Sequence, residues 1–133
     1  MHRIIYHSKA LIGADLGQVE AIIAHSTARN EASGITGMLW FDGNSFAQVL
    51  EGEAKATHVL IDRIRADRRH TDVTVVLDRP VQNRMFGQWA MMRADDSDAC
   101  SMHHAFMVGF SRQKTPAFER LHEIVLAGEG YAA

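Results

Sequence analysis

An α+β sandwich of the ferredoxin-like kind, one sheet with two helices on one face and further helices on the other, is the fold class this chain predicts. Three observations predict it. Short β-rich segments alternate with amphipathic helical ones in the order strand, helix, strand, strand, helix, strand, strand, that is βαββαββ. The triplet Asp42-Gly43-Asn44 lies between two apolar runs as a hairpin signal. The last third of the chain is helical in pattern, so it can cover the sheet face that the first two helices leave bare.

Each element has its own reason. Residues 3–8, Arg-Ile-Ile-Tyr-His-Ser, are β-rich and short enough for a first strand. From Asp15 to Asn30, Leu16, Val19, Ile22 and Ile23 recur at helical spacing, with Asp15 at the positive end of the helix dipole. Ile35–Phe41 is a continuous apolar run, and Ser45–Glu51 pairs with it across the turn. Glu53–Asp67 carries Val59, Leu60 and Ile64 at helical spacing, which predicts the second helix, and the Val/Thr-rich Thr71–Leu77 predicts strand four. A fifth, shorter strand is expected around Gln88–Arg93. Residues 97–127 supply the cover: Met102, Phe106 and Phe110 form one apolar face, and Thr115-Pro116 opens a last helix as N-cap and first helical residue. Phe118, Leu121 and Val125 are its stripe, Gly128 its end, and the residues beyond leave room for no more than a short tail.

Composition bounds the function. With 133 residues, 47% hydrophobic, and no internal repeat or composition shift before residue 95, the chain reads as one domain, a core over 1–95 with a helical cap over 96–133. A single cysteine, Cys100, excludes an internal disulfide framework, and the lack of a secretory leader makes the cytoplasm the expected compartment. No apolar run approaches the roughly 20 residues of a membrane span. Fourteen Lys and Arg against sixteen Asp and Glu create no positive field for nucleic acid. Eight histidines carry no His-Glu-x-x-His or Cys-x-x-Cys spacing, so no metal is expected, and His103-His104 is a poor chelating pair on a helix. No Gly-x-Ser-x-Gly elbow and no Gly-rich phosphate loop point to an enzyme.

The telling residues are polar ones at positions where periodicity predicts burial. Phe46, Gln48 and Leu50 alternate onto one strand face, so Gln48 interrupts an apolar row. An unpaired buried amide costs about 1–3 kcal/mol, so Gln48 needs partners. In the first helix the face Leu16, Val19, Ile23, Ser26, Asn30 turns polar at its C-terminal end. In the second, Arg63 and Asp67 continue the face of Val59 and Leu60, at a spacing that usually means a surface salt bridge. Two such helices on one sheet face can enclose a planar aromatic ligand with a hydroxylated tail.

These residues carry a resemblance. Ile5-Tyr6-His7-Ser8, then Asn30, Gly34-Ile35-Thr36-Gly37-Met38-Leu39, Phe46-Ala47-Gln48-Val49-Leu50-Glu51-Gly52, Asp67-Arg68-Arg69-His70, Arg84 to Phe86, Trp89 and Met91 follow in order over residues 3–93. The sequence resembles the BLUF family of blue-light sensors that use FAD, in its short single-domain form. The resemblance implies a non-covalent flavin between the two helices, FAD, or FMN or riboflavin after heterologous expression, since the adenine end contributes little. It implies Tyr6 and Gln48 as the photoactive pair, with proton-coupled electron transfer from Tyr6 to the flavin and rearranged hydrogen bonds at Gln48. It implies Tyr6, Ser26, Arg29, Asn30, Phe46, Gln48, Arg63, Asp67 and His70 as the flavin-binding set, and Trp89 and Met91 as signalling residues. Strand alternation puts Trp89 and Met91 on one side near Gln48, and Ala90 and Met92 toward the tail. Trp40 is an additional aromatic that could act as a competing electron donor. With no cyclase, phosphodiesterase or DNA-binding segment after the sensor, the expected output is contact with a downstream protein, in a homo-oligomer. Two other classes stay open on the residues alone: a small ferredoxin-like hydrolase using Arg63 or Arg29 for an anion and Asn30 for water, and a light-independent oligomerisation module.

Overall fold

In a computed structural model, residues 1–87, 89–95, 97–129 and 131 are described. The first strand, β1 (His2–Ala10), runs through the middle of a four-stranded sheet and leads into α1 (Leu16–Ser33). Asp15 caps that helix by accepting from the Gln18 amide at 3.2 Å, and Gly34, at a φ of +67°, closes it in the left-handed region. The hairpin follows, β2 (Thr36–Phe41) and β3 (Ser45–Gly52), with Asp42 accepting from the amides of Asn44 and Ser45. Next come α2 (Ala54–Ala66), β4 (His70–Pro80), α3 (Asp98–Phe110) and α4 (Pro116–Gly128).

The strand order β2-β3-β1-β4 is antiparallel throughout and is that of the ferredoxin-like sandwich. Both faces of the sheet are covered, which explains why β2 reads as a continuous apolar run rather than an alternating one. Ile4, Tyr6, Leu39, Phe41, Phe46 and Leu50 face α1 and α2, where Val19, Leu60, Ile61 and Ile64 meet them. Ile5, Met38, Trp40, Ala47 and Val49 face the other way, against Cys100, Met107, Leu121, Ile124 and Val125 of the C-terminal helices. Trp40 is therefore on the face opposite Tyr6 and is no neighbour of the cleft described below.

Four details differ from expectation. The expected fifth strand is not formed as a strand: Gln88 lies outside the described residues, and 89–93 make only an isolated parallel bridge between Leu39 and Arg93. Met102 is exposed, and α3 buries Cys100, His103 and Met107 instead, with Phe106 and Phe110 partly covered, because its inward stripe is set one residue along. In α2 the inward face is Thr57, Leu60, Ile61 and Ile64, leaving Val59 exposed. Tyr131 does not trail away: its ring packs edge-on against Phe41, 5.6 Å between centroids, and its carbonyl accepts from Arg93.

The segment between β4 and α3 is pinned at both ends. Glu51, fully buried, accepts from Arg3 at 2.8 Å and from the backbone amides of Met85 and Phe86 at 3.0 and 2.5 Å. Arg84 donates to Thr36, to the Glu51 carbonyl and to the Gly34 carbonyl at 2.7–3.0 Å. At the far end the Ala94 amide donates to the Leu39 carbonyl at 2.7 Å. Gly37 is required between these pins, since a Cβ there would meet the Val49 carbonyl oxygen at 2.0 Å.

Candidate functional site

The sheet register builds the centre of the site. Tyr6 of β1 pairs directly with Gln48 of β3, so both side chains rise side by side on the α1/α2 face. The Tyr6 hydroxyl donates to Gln48 Oε1, and Gln48 Nε2 donates to Met91 Sδ at 3.3 Å. Above them a narrow cleft opens between the helices. Its walls are apolar in Ile22, Ile23, Leu39, Phe46 and Ile64, and polar in Tyr6, Ser26, Gln48 and a rim of Arg29, Arg63, Asp67, Arg69 and His70. A second, outer cleft of about 300 Å³ shares Arg29 and Arg63 with it and adds Asn30 and Lys55.

Electrostatics follow from this layering. Burial, and then the charge of Asp67, push the Tyr6 phenol far above its ordinary value, so the ring keeps its proton. Asp67 is held down to about 2 by hydrogen bonds from Arg69, whose guanidinium takes both carboxylate oxygens. The i,i+4 pair Arg63–Asp67 expected from spacing is not what forms; Arg69, two residues on, has the shorter reach. The pKa of Arg29 is lowered by burial and by repulsion from Arg63 and Arg69. Three guanidinium groups thus crowd one rim with a single carboxylate among them, a setting that favours an anion. His70, at the start of β4, bonds the Ile64 carbonyl through Nε2 at 2.5 Å and Ser8 Oγ through Nδ1 at 2.7 Å. A carbonyl only accepts, so Nε2 carries the proton and Nδ1 accepts from Ser8.

Asn30 lines the outer cleft. Its Nδ2 donates to the Ala90 carbonyl at 2.7 Å, tying α1 to the pinned segment, while its Oδ1 is buried without a partner. Arg29 Nε is likewise buried and unpartnered. Such orphans are uncommon, and both lie on lining residues of the outer cleft, where a bound molecule's polar edge would satisfy them. Ser26 and Phe46 lie on the inner wall. Met91 is on that wall too, but Trp89 is not: it packs on His103 of α3, 4.9 Å between centroids, on the far side of the sheet.

The reason is a one-residue slip. The Gly37 amide bonds the Trp89 carbonyl at 3.0 Å and the Leu39 amide bonds the Met92 carbonyl at 2.8 Å. Two residues of β2 therefore oppose three of the segment. Regular alternation would place Trp89 with Met91, and the extra residue inverts it. Arg69 is the cleft residue that sequence reasoning passed over, although it lay within the Asp67-Arg68-Arg69-His70 match.

Comparison with known proteins agrees with this geometry. A family model, BLUF, described as sensors of blue-light using FAD, matches residues 1–92. The photoactivated adenylate cyclase subunit beta of Euglena gracilis is 37% identical over 94 residues, 70% of this chain and 11% of that protein. The chain thus spans about a tenth of the length of the curated relatives it matches. Among solved structures, the dark state of BlrB, a BLUF protein, superposes with a TM-score of 0.71 at 25% identity, covering 95% of this chain and 94% of that one. The manganese/cy-diGMP complex of Klebsiella pneumoniae BlrP1 also gives 0.71, at 26% identity, over 94% of this chain and 32% of that one.

Proposed function

The chain belongs to the BLUF family, sensors of blue light that use FAD, and on that premise we propose that Tyr6 and Gln48 are its photoactive pair and the α1/α2 cleft its flavin site. The single observation that carries this is the Tyr6–Gln48 hydrogen bond at the floor of a cleft with an apolar middle and a polar rim. The residues present fit a flavin: Ile22, Ile23, Phe46 and Ile64 suit a planar ring, and the orphaned Asn30 Oδ1 and Arg29 Nε suit its polar edge. Ser26, Arg29 and Asn30 from α1, Arg63 from α2, Asp67 just past its end, and Phe46 and His70 from the sheet would hold it. When bound, the flavin supplies absorption of blue light and an excited state that accepts an electron.

The chain's own contribution is control of one proton and one amide. Tyr6 keeps its phenolic proton at any ordinary pH, so that proton leaves only along the hydrogen bond to Gln48 Oε1. Gln48 is held unequally: its oxygen by a neutral O–H donor, its nitrogen by a thioether, a weak acceptor. Turning or tautomerising the amide therefore sacrifices little on the Met91 side, and a second arrangement of the pair is within reach. Exclusion of water by Ile64, Phe46 and Leu39 keeps that arrangement from relaxing through solvent.

The crowding of Arg29, Arg63 and Lys55 on the outer cleft supports a phosphate-bearing flavin, FAD or FMN, over riboflavin. Output through a downstream protein, in a homo-oligomer in the cytoplasm, with residues 96–133 as the cap that transmits it, is part of the same proposal. Exposed Met102 and Leu126 on the helical layer, and the lone buried Cys100, support it. An absorption spectrum tests the whole reading. The purified protein is yellow, and blue light gives a small red shift that reverses in the dark without bleaching. A chain that stays colourless after incubation with FAD, FMN and riboflavin would sink the proposal.

A further inference from the structure

Far from the cleft, three ligand-type side chains from three elements converge. His2 begins β1, Asp78 lies on β4 opposite Ile4, and His58 comes down from α2. His2 and Asp78 share the sheet face that α2 covers, because they sit diagonally across one antiparallel pair. Both imidazoles aim Nε2 at the same carboxylate: His58 reaches Oδ1 and Oδ2 at 2.9 and 3.0 Å, and His2 bonds Oδ1. The rings are tilted by 58° with centroids 4.8 Å apart, so their nitrogens converge instead of stacking.

We propose that His2, His58 and Asp78 form a site for a divalent transition metal of the zinc class. The three donor atoms lie within 4.8 Å of one another. A tetrahedral zinc, with bonds of about 2.0–2.1 Å, holds its ligand atoms about 3.3–3.5 Å apart. Rotation about the side-chain bonds of His58 and Asp78, both half-exposed, is enough to open the present contacts to that spacing. Two imidazoles and one carboxylate suit zinc, cobalt or nickel and do not suit magnesium or calcium, which take oxygen ligands. The exposed side leaves room for water as the remaining ligand. None of the three residues lines either cleft, so the site is separate from the flavin reading and stands or falls without it. Its consequence is mechanical: one ion would fasten α2 to β1 and β4, bracing the helix whose far end carries Arg63 and Asp67.

The test uses the full chain without an affinity tag. Isothermal titration with ZnCl2 gives one saturable site, and excess Mg2+ or Ca2+ does not displace the ion. His58→Ala and Asp78→Asn each weaken binding by more than the roughly 10–100-fold that loss of an outer-sphere partner costs, while His25→Ala, a solvated histidine elsewhere, changes nothing. X-ray absorption of the zinc-loaded chain reports the ligand set without any variant: two imidazoles with oxygen donors are expected. Absence of saturable binding, unchanged affinity in either variant, or a spectrum with fewer than two imidazoles would overturn the proposal.

Discussion

Tyr6 and Gln48 depend on each other in a way that substitution exposes. Tyr6→Phe keeps the ring and its packing but removes the proton and leaves Gln48 Oε1 buried without its donor. Stability should fall by about 1–3 kcal/mol, and the light-induced red shift should vanish while flavin is retained. Gln48→Leu deletes the amide at similar volume and should abolish the same shift; a wild-type light-minus-dark spectrum in either variant would refute the assignment. Asp67 gives a second prediction, on pH. Its folded value, about 2 against an ordinary 3.8, is depressed, so its stabilising effect is fully present above about pH 4 and is lost as pH falls toward 2. The group is partly exposed, so the effect is modest. Urea midpoints at pH 5 and pH 3 should draw closer together in Asp67→Asn than in the parent; an unchanged gap would mean that the Arg69 pair does not couple to folding.

The segment from Met85 to Ala94 behaves as a short string fixed at both ends, by Glu51 and Arg84 before it and by Leu39 after it. Asn30 holds its middle through the Ala90 carbonyl. Asn30→Ala should therefore do two things at once: weaken flavin retention through one or more hydrogen bonds of about 0.5–1.5 kcal/mol each, and raise hydrogen exchange at Met91 and Met92. Weaker retention with exchange unchanged would mean that Asn30 serves the ligand alone. Met91 touches Gln48 on one face and Trp89 touches His103 on the other, so this one segment meets both the cleft and α3. Light should accordingly change exchange protection in residues 89–94 and in α3. Equal protection in dark and light, with the red shift fully developed, would send the signal by another route.

For the molecule as a whole, the sequence makes the sheet legible because side chains in β1 and β3 keep a period of two and β2 follows by pairing across the hairpin. Ile4 and Tyr6 against Ile5, and Phe46, Gln48 and Leu50 against Ala47 and Val49, fall on the faces that period two assigns. The Tyr6–Gln48 contact follows, since register alone brings residue 6 opposite residue 48. What period and spacing could not reveal is where regularity breaks or where distant residues meet. One extra residue between Trp89 and Met92 reverses a side chain, and Arg69 outcompetes Arg63 for Asp67 through a turn that helical spacing does not describe. His2, His58 and Asp78 are 56 and 20 residues apart in sequence and share no motif. The same inversion that moves Trp89 has an optical consequence. Of the chain's two tryptophans, Trp40 donates to His104 Nδ1 at 3.1 Å and Trp89 lies on His103. Both indoles thus rest against adjacent imidazoles of a single helix. The chain carries a built-in fluorescent gauge of α3 docking that needs no label: undocking of α3 should expose both indoles to water and shift their emission to longer wavelength together.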